Sequence, residues 1–226
     1  MIKLEHTVLP SPEQMQFIIE GMRNPMNSWD NSDSYATYNI NSDKIFALGN
    51  NDHELMQRLA KAGTDHRKYM RMMSVYVRIT APLYWWKEFD TYKIGTVANS
   101  CSTMHKIQDK EFTFDDFSIE HLLGMEDNPF KVNVSSDGTA LSPIGYMADT
   151  INMLNECREK YLETKDKKYW WQMIQLLPSS YNQTRNVMLN YEVLANMYHR
   201  RKNHKLDEWR NFCGWIEELP YTELIK

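Results

Sequence analysis

The amino-acid sequence predicts an α+β fold in which helices dominate and several strands contribute to a sheet. Apolar residues recur at helical spacing in several segments and alternate with polar residues in at least one other. The two kinds of segment neither alternate strictly along the chain nor separate into blocks, which favours α+β over a doubly wound sheet. Of the 226 residues, 42% are apolar, so the chain can bury a full core. This length suits one large domain or two small ones.

The first elements are a strand and a helix. Residues 2–9 mix β-branched and polar residues and stop at Pro10, which is typical of an edge or first strand. Ser11 is the predicted N-cap of a helix that continues to about Arg23, with Pro12 in its first turn. The predicted apolar face of this helix comprises Phe17, Ile18, Ile19 and Met22.

The next segment alternates between loop, helix and strand. Residues 24–51 are rich in Asn and Asp and predict a long surface loop with one short strand near 44–48. A helix is predicted over about 52–61, before Gly63. Apolar residues then alternate over 75–79, which is the period of a strand covered on one face.

Pro82 begins a third predicted helix, whose inner side carries Trp85, Trp86 and Phe89. Residues 94–148 are predicted to be mostly irregular, apart from a short helix after Ser118. The remaining predicted elements are helices at about 149–163, 167–177, 191–202 and 206–219 and a short strand near 185–189.

Composition excludes several classes of protein. The 26 basic and 30 acidic residues give a net charge of −4, which argues against a protein that coats nucleic acid polymers. Three cysteines without a CxxC or Cys/His spacing fit a reducing cytoplasm and argue against a structural zinc site. No stretch approaches the roughly 20 apolar residues that span a bilayer, and no signal peptide is evident. We therefore expect a soluble, cytoplasmic protein without a membrane partner.

Motifs for common enzyme classes are absent: the sequence contains no GxGxxG, GxxxxGK[ST], HExxH or GxSxG. The densest basic cluster, residues 199–205, is either a solvated helix end or a wall that binds an anion. The tryptophan pairs at 85–86 and 170–171 are interpreted as core or interface residues rather than as platforms for bases. Cys101 has only His105 nearby as a base, so a Cys/His nucleophile has little support.

Two segments, taken in their order along the chain, resemble the sequence pattern of a known protein family. Residues 176–201 read LLPSSYNQTRNVMLNYEVLANMYHRR, and residues 206–212 read LDEWRNF. They resemble the pattern L-P-x(11)-N-x-R-x-L-x-N-F-x-x-x-R, followed by a helix with A-Q-x-E-I-R, of the flavin-dependent thymidylate synthases, the ThyX family. The residues at the family's spacing are Pro178, Asn190, Leu194, Asn196 and Arg201, with Glu208 and Arg210 in the following helix if the loop is one residue shorter.

The upstream segment, residues 59–89, follows the family's order as well. It is similar to a G-H-x-S-x-x-E-H helix, an F-x-F strand and an A-P-x-x-x-x-R-Q helix. The matching residues are Gly63, Ala81, Pro82 and Lys87. Together the resemblance covers about residues 50–217.

The chain departs from the family where that family binds phosphate. In place of the signature R-H-R-x-x-S-x-N-E-x-S-x-R-Y it has Thr91-Tyr92-Lys93 and then IGTVANSCSTMH. An Arg of the family is Ile174 here, and Ile cannot make charge-assisted hydrogen bonds. The residues that could take comparable roles in binding flavin and phosphate are Lys93, Asn99 and one of Ser100, Cys101 and Ser102. Glu88 replaces the Gln that follows the Arg in the family's A-P-x-x-x-x-R-Q helix.

The resemblance implies a central sheet flanked by helices in a single domain over residues 1–226. It also implies a homotetrameric flavoprotein of nucleotide biosynthesis whose flavin sites lie between subunits. Reduced FAD would deliver hydride to a uracil nucleotide after methylenetetrahydrofolate supplies one carbon, which converts dUMP to dTMP. The aromatic surface expected around the tryptophan pairs is compatible with a tetramer.

The resemblance assigns roles to single residues. Arg201 would be catalytic, lying against the carbonyl edge of the pyrimidine in a pocket shared with Asn190 and Lys93. The implied cofactor-binding residues are Tyr92, Lys93, Asn190 and Asn196, and the implied substrate-binding residues are Lys87, Glu88, Ser100 and Ser102. No metal is implied. The alternative is a diverged homologue with another nucleotide substrate or with a non-catalytic binding role.

Overall fold

The structure, a computed structural model, describes residues 1–127, 129 and 142–226 and combines helices with a sheet. The strands are β1 (Lys3–Val8), β2 (Tyr35–Tyr38), β3 (Lys44–Ala47), β4 (Ser74–Pro82), β5 (Val97–Ser100) and β6 (Asn182–Asn190). The helices are α1 (Pro12–Arg23), α2 (Asn50–Lys61), α3 (Lys68–Met72), α4 (Leu83–Phe89), α5 (Thr103–Lys106), α6 (Pro143–Thr164), α7 (Lys167–Leu176), α8 (Tyr191–Arg201) and α9 (Asp207–Glu217). None of the helices described is long and apolar enough to cross a membrane.

The main sheet has the strand order β1-β4-β6-β5, so β1 lies at an edge as predicted. The strands β2 and β3 form a separate antiparallel hairpin in which Tyr35 pairs with Ala47 and Tyr38 with Lys44. The sequence predicted β3 but not β2. Asn39 closes the hairpin, because its side-chain oxygen accepts hydrogen bonds from the backbone of Asn41 and Asp43.

The chain consists of two compact units. The first unit comprises Met1, Thr80–Lys87 and Ser100–Thr184, and the second unit comprises Ile2–Ile79, Glu88–Asn99 and Arg185–Lys226. The single domain over residues 1–226 stays a prediction.

In the second unit, α1 begins where the sequence predicts it. Ser11 and Gln14 form a capping box, and Pro12 occupies the first turn. The buried apolar residues follow the helical period: they are Met15, Ile18, Ile19 and Met22. The inclusion of Phe17 in this face was wrong, because Phe17 lies off the buried stripe and is 64% exposed.

Strand β4 confirms the alternation seen in the sequence. Val75, Val77 and Ile79 are buried, whereas Tyr76 and Arg78 are exposed on the opposite face. One face of the strand therefore contributes to the apolar core. Buried residues of α3, α8 and α9 complete that core; they include Met70, Leu194, Trp209, Phe212 and Ile216.

The loop before β2 is held by one buried carboxylate. Asp52, in the first turn of α2, pairs with Arg23 at 2.5 Å and both side chains are buried. Asp52 also accepts hydrogen bonds from the hydroxyl of Ser32 and the backbone N–H of Ser34. Burial alone would raise the pKa of Asp52, but the hydrogen bonds from Ser34, Ser32 and Arg23 lower it below its ordinary value.

The first unit packs α6 against α7 around its own apolar cluster. Leu154 and Met173 are fully buried there, and Ile174 packs against the same cluster. Trp85 and Trp86 are also buried, with ring centroids 4.9 Å apart in an edge-on arrangement. These two side chains are core residues, so they do not supply the aromatic surface expected for a tetramer.

Two boundaries in the first unit differ from the sequence-based prediction. The short helix after Ser118 is absent, because the segment forms a turn in which Leu122 donates to the carbonyl of Ile119. Helix α6 begins at Pro143 rather than near 149, because Ser142 caps it. The segment 94–148, which was predicted to be mostly irregular, contains β5, α5 and the start of α6. Positions 128 and 130–141 lie outside the described residues.

The Arg23–Asp52 pair leads to a stability prediction. Replacing Arg23 by Met leaves a buried carboxylate without its cation, and we expect the free energy of unfolding to fall by about 3–5 kcal/mol in urea titrations. Because the pKa of Asp52 is lowered in the folded state, its contribution should be present above the unfolded-state pKa and lost as pH falls through the folded-state pKa. The exposed pair of Lys44 and Glu13 provides the control, since Lys44→Met should leave the urea midpoint nearly unchanged. Equal midpoints for Arg23→Met and the wild type would contradict this account.

Candidate functional site

The second unit contains a cavity of about 810 Å³, which we call the arginine cavity. Its walls come from α3 and the residues before it, from the loop after α4, and from α8. The basic residues that line it are Arg67, Arg71, His199 and Arg200. The polar and acidic residues include Asn190, Asn196 and Glu192. Small-molecule sites typically enclose about 300–1,000 Å³, so this cavity is large enough to hold one.

Helix α8 starts without a loop after β6, and this fixes Asn190 at the cavity. The side-chain oxygen of Asn190 accepts a hydrogen bond from the N–H of Val193 at 3.0 Å and so caps the helix. Gly95 packs against the Asn190 amide, and a Cβ on residue 95 would lie 2.8 Å from the Asn190 nitrogen. Gly95 also has φ of +80°, so a glycine is required here both by conformation and by close approach.

Glu192, in the first turn of α8, is the acidic centre of the cavity. Arg71 donates two hydrogen bonds to its carboxylate, from Nε to Oε2 and from Nη2 to Oε1, the second at 3.2 Å. Arg71 is anchored further by a 3.1 Å bond to the carbonyl of Thr64. The Glu192 carboxylate raises the pKa of the Arg71 guanidinium above its ordinary value, so Arg71 stays charged.

Arg67 lies near the same carboxylate but is not hydrogen-bonded to it. Its Nε is 3.9 Å from Glu192 Oε1, within ion-pair distance. This Nε is buried and has no hydrogen-bond partner among the residues that the structure describes. A buried donor without an acceptor is costly, and a ligand atom at this place would relieve that cost.

Arg200 completes the set of cations from the last turn of α8. Its Nε donates to the side-chain oxygen of Asn196 at 2.8 Å, so the oxygen of the Asn196 amide points toward the Arg200 guanidinium. Three arginines and one glutamate line the cavity, and the charges of these four side chains sum to about +2. Such a site favours an anion.

Arg201, the predicted catalytic residue, lies outside this lining and is held in a separate cluster. Its Nε donates to the hydroxyl of Tyr92 at 2.9 Å, and its Nη1 donates to Glu88 Oε2 at 2.6 Å. The guanidinium also stacks over the ring of Trp209, 4.7 Å from the centroid. The side chain is 19% exposed, and of the three residues expected to share a pocket, Arg201, Asn190 and Lys93, the arginine cavity is lined by Asn190 alone.

Glu88 is the acceptor that holds this cluster together. In addition to Arg201, it accepts a hydrogen bond from Trp209 Nε1 at 2.9 Å and lies 3.5 Å from His204 Nε2. Glu88 lies in the last turn of α4, and these partners come from α8, α9 and the loop between them. The structure thus brings together Glu88, Tyr92 and Arg201, but as mutually bonded groups.

The remaining predicted site residues fall elsewhere. Lys93 is exposed in the second unit. Lys87 and Ser100 are exposed in the first unit, and Ser102 caps α5 there by accepting from the N–H of His105 at 3.0 Å. Asn190 and Asn196 are the two predicted residues that line the arginine cavity.

Sequence reasoning missed the four charged residues of the cavity as a group. Arg200 was noticed only as part of the basic cluster 199–205. Arg67 and Arg71 lie in the segment that resembles the family's G-H-x-S-x-x-E-H helix and were not connected with Glu192, although their spacing of four residues is a signal for a common helix face. Within the described ranges, no group of His, Cys, Asp or Glu side chains is placed to hold a metal ion.

Comparisons with known proteins assign the fold. The structure of thymidylate synthase X (ThyX) from Helicobacter pylori with FAD and dUMP matches with a TM-score of 0.62 at 14% identity, over 99% of this chain and 94% of that one. A second H. pylori ThyX structure, complexed with FAD and dUMP, gives a TM-score of 0.61 at 14% identity, covering 100% and 97%. The UMP/dUMP methylase PolB from Streptomyces cacaoi, bound with 5-Br UMP, gives 0.60 at 13% identity, covering 100% and 93%.

The chain therefore has the ThyX-like fold that its sequence resembles. No protein-family model and no curated protein sequence matches it. At this level of identity the likeness concerns the fold.

The Glu88 cluster yields a second prediction. Glu88→Ala removes the acceptor of two hydrogen bonds, one of them from a cation, and we expect a loss of about 1.5–3 kcal/mol in unfolding free energy. Urea titration monitored by tryptophan fluorescence measures the change in unfolding free energy. Glu54→Ala on the exposed face of α2 is the matched control and should leave stability unchanged. An unaltered midpoint for Glu88→Ala would show that Arg201 does not depend on this carboxylate.

Proposed function

We propose that this protein is a ThyX-like enzyme that methylates a uracil nucleotide, converting dUMP to dTMP with FAD and methylenetetrahydrofolate. In this proposal the arginine cavity binds a nucleotide through its phosphate. The fold supports the reaction class, and the cavity supports the ligand class. The neighbouring structures contain FAD with dUMP in ThyX and a brominated uridine monophosphate in the methylase.

The charge of the cavity carries the proposal. A phosphate monoester has a charge of about −1.5 to −2 at pH 7. The three arginines and Glu192 leave about two positive charges to meet it. Arginine suits this task because its planar donors bind phosphate oxygens in pairs.

The amides of the cavity suit the other part of a nucleotide. The side-chain oxygens of Asn190 and Asn196 are bonded within α8, which leaves their NH₂ groups as donors. Uracil and the flavin ring both present carbonyl oxygens that accept such bonds. Asn190 and Asn196 would therefore orient a ring once the arginines hold its phosphate.

FAD is the cofactor that the fold implies, and the residues present fit its charged part. The FAD diphosphate carries two negative charges, which the net charge of the cavity matches, and the buried Nε of Arg67 lacks an acceptor. Arg67, Arg71 and Arg200 would hold this diphosphate, with Asn190 and Asn196 at the ring. When bound, the flavin supplies the redox step of the methylation.

Arg201 would stabilise negative charge on the pyrimidine only after exchanging partners. Its guanidinium is bonded to Glu88 and Tyr92, so a carbonyl oxygen would have to compete with a carboxylate for the same donors. This observation favours a second candidate function, a nucleotide-binding protein of the same fold without catalysis or with another nucleotide substrate. In the proposal, the cofactor is also bound by Tyr92 and Lys93. The substrate is bound by Lys87, Glu88, Ser100 and Ser102.

The proposal includes the assembly and location expected from the resemblance. We propose a single-domain, cytoplasmic protein that forms a homotetramer and has no nucleic acid polymer or membrane as partner. Light scattering at micromolar concentration would measure the assembly.

The proposed function predicts the effect of removing single cations. Arg67→Met and Arg200→Met should each weaken binding of the cavity's nucleotide at least about tenfold, because each removes a charge-assisted hydrogen bond. Titration calorimetry with dUMP and with FAD, measured separately, identifies which of the two occupies the cavity. The control is Arg210→Met, since Arg210 is exposed and pairs with Asp207 outside the cavity.

The outcomes separate the candidates. Binding of both ligands together with dTMP formation supports the enzyme, and binding of a nucleotide without turnover supports the non-catalytic alternative. If neither dUMP nor FAD binds, or if Arg67→Met and Arg200→Met bind both as well as the wild type does, the cavity is not a nucleotide site.

A further inference from the structure

The second unit carries exposed apolar side chains along three adjoining cavities that the arginine cavity does not include. Phe17 lines both a cavity of about 600 Å³ beside Trp29 and a cavity of about 310 Å³ between α1 and the start of β4. Tyr76 lines the cavity at β4 and also a third cavity, of about 270 Å³, on the main sheet. The exposed apolar residues of the three linings form what we call the apolar band; they are Val8, Phe17, Trp29, Met72, Tyr76 and Val97.

The third cavity lies on the open face of the main sheet. Its lining takes residues from β1, β4, β5 and β6, so it spans the width of the sheet. Tyr76 and Val97 are 49% and 61% exposed, whereas Val75 and Val77 on the other face of the sheet are buried. A contiguous apolar surface of this kind, with polar residues beside it, marks an interaction site rather than a bare monomer surface.

The two ends of the band carry opposite charges. Glu20 lines the cavity at the α1 end and forms no ion pair with any residue that the structure describes. Arg78 lines the sheet cavity at the other end, where its Nε donates to the neutral amide of Asn186 at 3.4 Å and no described carboxylate pairs with it. Glu13, in the cavity between these ends, is already paired with Lys44. The charges left without a counterion are therefore negative at one end and positive at the other.

We infer that the apolar band is an interface with a second copy of this chain, related by a twofold axis near Phe17 and Tyr76. A twofold axis pairs a surface with itself in the reverse direction. The end that carries Glu20 in one protomer therefore meets the end that carries Arg78 in its partner, and the same pair forms again on the other side of the axis. A second copy satisfies both ends at once, whereas a partner of a single charge would satisfy one and be repelled by the other.

The inference rests on the homotetramer of the proposed function, for which it names the contact surface, and not on the nucleotide chemistry. A twofold dimer is the usual building unit of a symmetric tetramer. Aromatic residues are enriched in the cores of such interfaces, and Phe17, Trp29 and Tyr76 supply them here. Trp85 and Trp86 cannot, because they are buried in the core.

Charge reversal tests the pairing of the two ends. Glu20→Arg brings arginines together at both ends of the interface, and Arg78→Glu brings glutamates together there. Each single variant should dissociate at a protein concentration at least about tenfold higher than the wild type does, because like charges replace opposite ones. The double variant Glu20→Arg/Arg78→Glu restores opposite charges and should assemble as the wild type does. Sedimentation velocity over a concentration series at low ionic strength measures the assembly, since salt screens such pairs.

Phe17→Glu tests the apolar part of the band. It places a charge near the proposed axis and should convert the wild-type assembly into smaller species. Because Phe17 is 64% exposed, the circular dichroism spectrum should stay that of the wild type. Ile40→Glu is the matched control, since Ile40 is 99% exposed in the hairpin between β2 and β3 and lines none of the three cavities. Its sedimentation should match that of the wild type.

The outcomes separate the interface from the proposed chemistry. A wild type that is monomeric at micromolar concentration overturns the inference without requiring any variant to fold. A wild-type oligomer that neither charge reversal nor Phe17→Glu disturbs assembles through another surface and overturns it as well. A double variant that stays dissociated contradicts the twofold pairing. Assembly that follows the charge pattern supports the inference even if neither dUMP nor FAD binds.

Discussion

The junction at Asn190, where β6 ends and α8 begins without a loop, is the constraint on which the arginine cavity depends. The strand is fixed by its neighbours in the sheet, and its alternate residues Val187 and Leu189 are buried. The cap formed by Asn190 then sets the direction of the first helical turn. Glu192 follows two residues later, in the first turn of α8. The backbone held in this way places its carboxylate against Arg71 and within ion-pair distance of Arg67.

In the second unit, arginines are bound by the carboxylates of Asp52, Glu88 and Glu192. These carboxylates differ in how deeply they are buried, and their roles differ accordingly. Asp52 is buried with Arg23 and satisfies its remaining lone pairs with hydroxyl and backbone donors, so the pair organises a loop. Glu88 is partly exposed, and it holds Arg201 with an indole donor beside it. Glu192 is exposed to a cavity with more cations than anions. In the second unit the unbalanced positive charge at this carboxylate, rather than the ion pair itself, marks the candidate site.

The sequence predicted the elements better than the site, for a physical reason. Helices such as α1 and strands such as β4 are specified by local periodicity and caps, which a single sequence displays. Strand β2 was missed because Tyr35–Tyr38 lies in a segment rich in turn residues and pairs only with β3. The resemblance led to Asn190 and Asn196, but the Arg71–Glu192 pair joins residues 121 positions apart. No local pattern contains such a contact.

The cations of the cavity occupy other positions than the family pattern suggests. In that pattern the residue two places after the Asn at position 190 is Arg, and this chain has Glu192. The Arg before the L-P pair is Ile174 here, which packs against an apolar cluster. Arg67 and Arg71 supply positive charge from a different element, opposite Glu192. Because Coulomb attraction depends on distance and not on which element carries the charge, a similar field can be built from different residues. A fold held by buried periodic residues can persist at 14% identity.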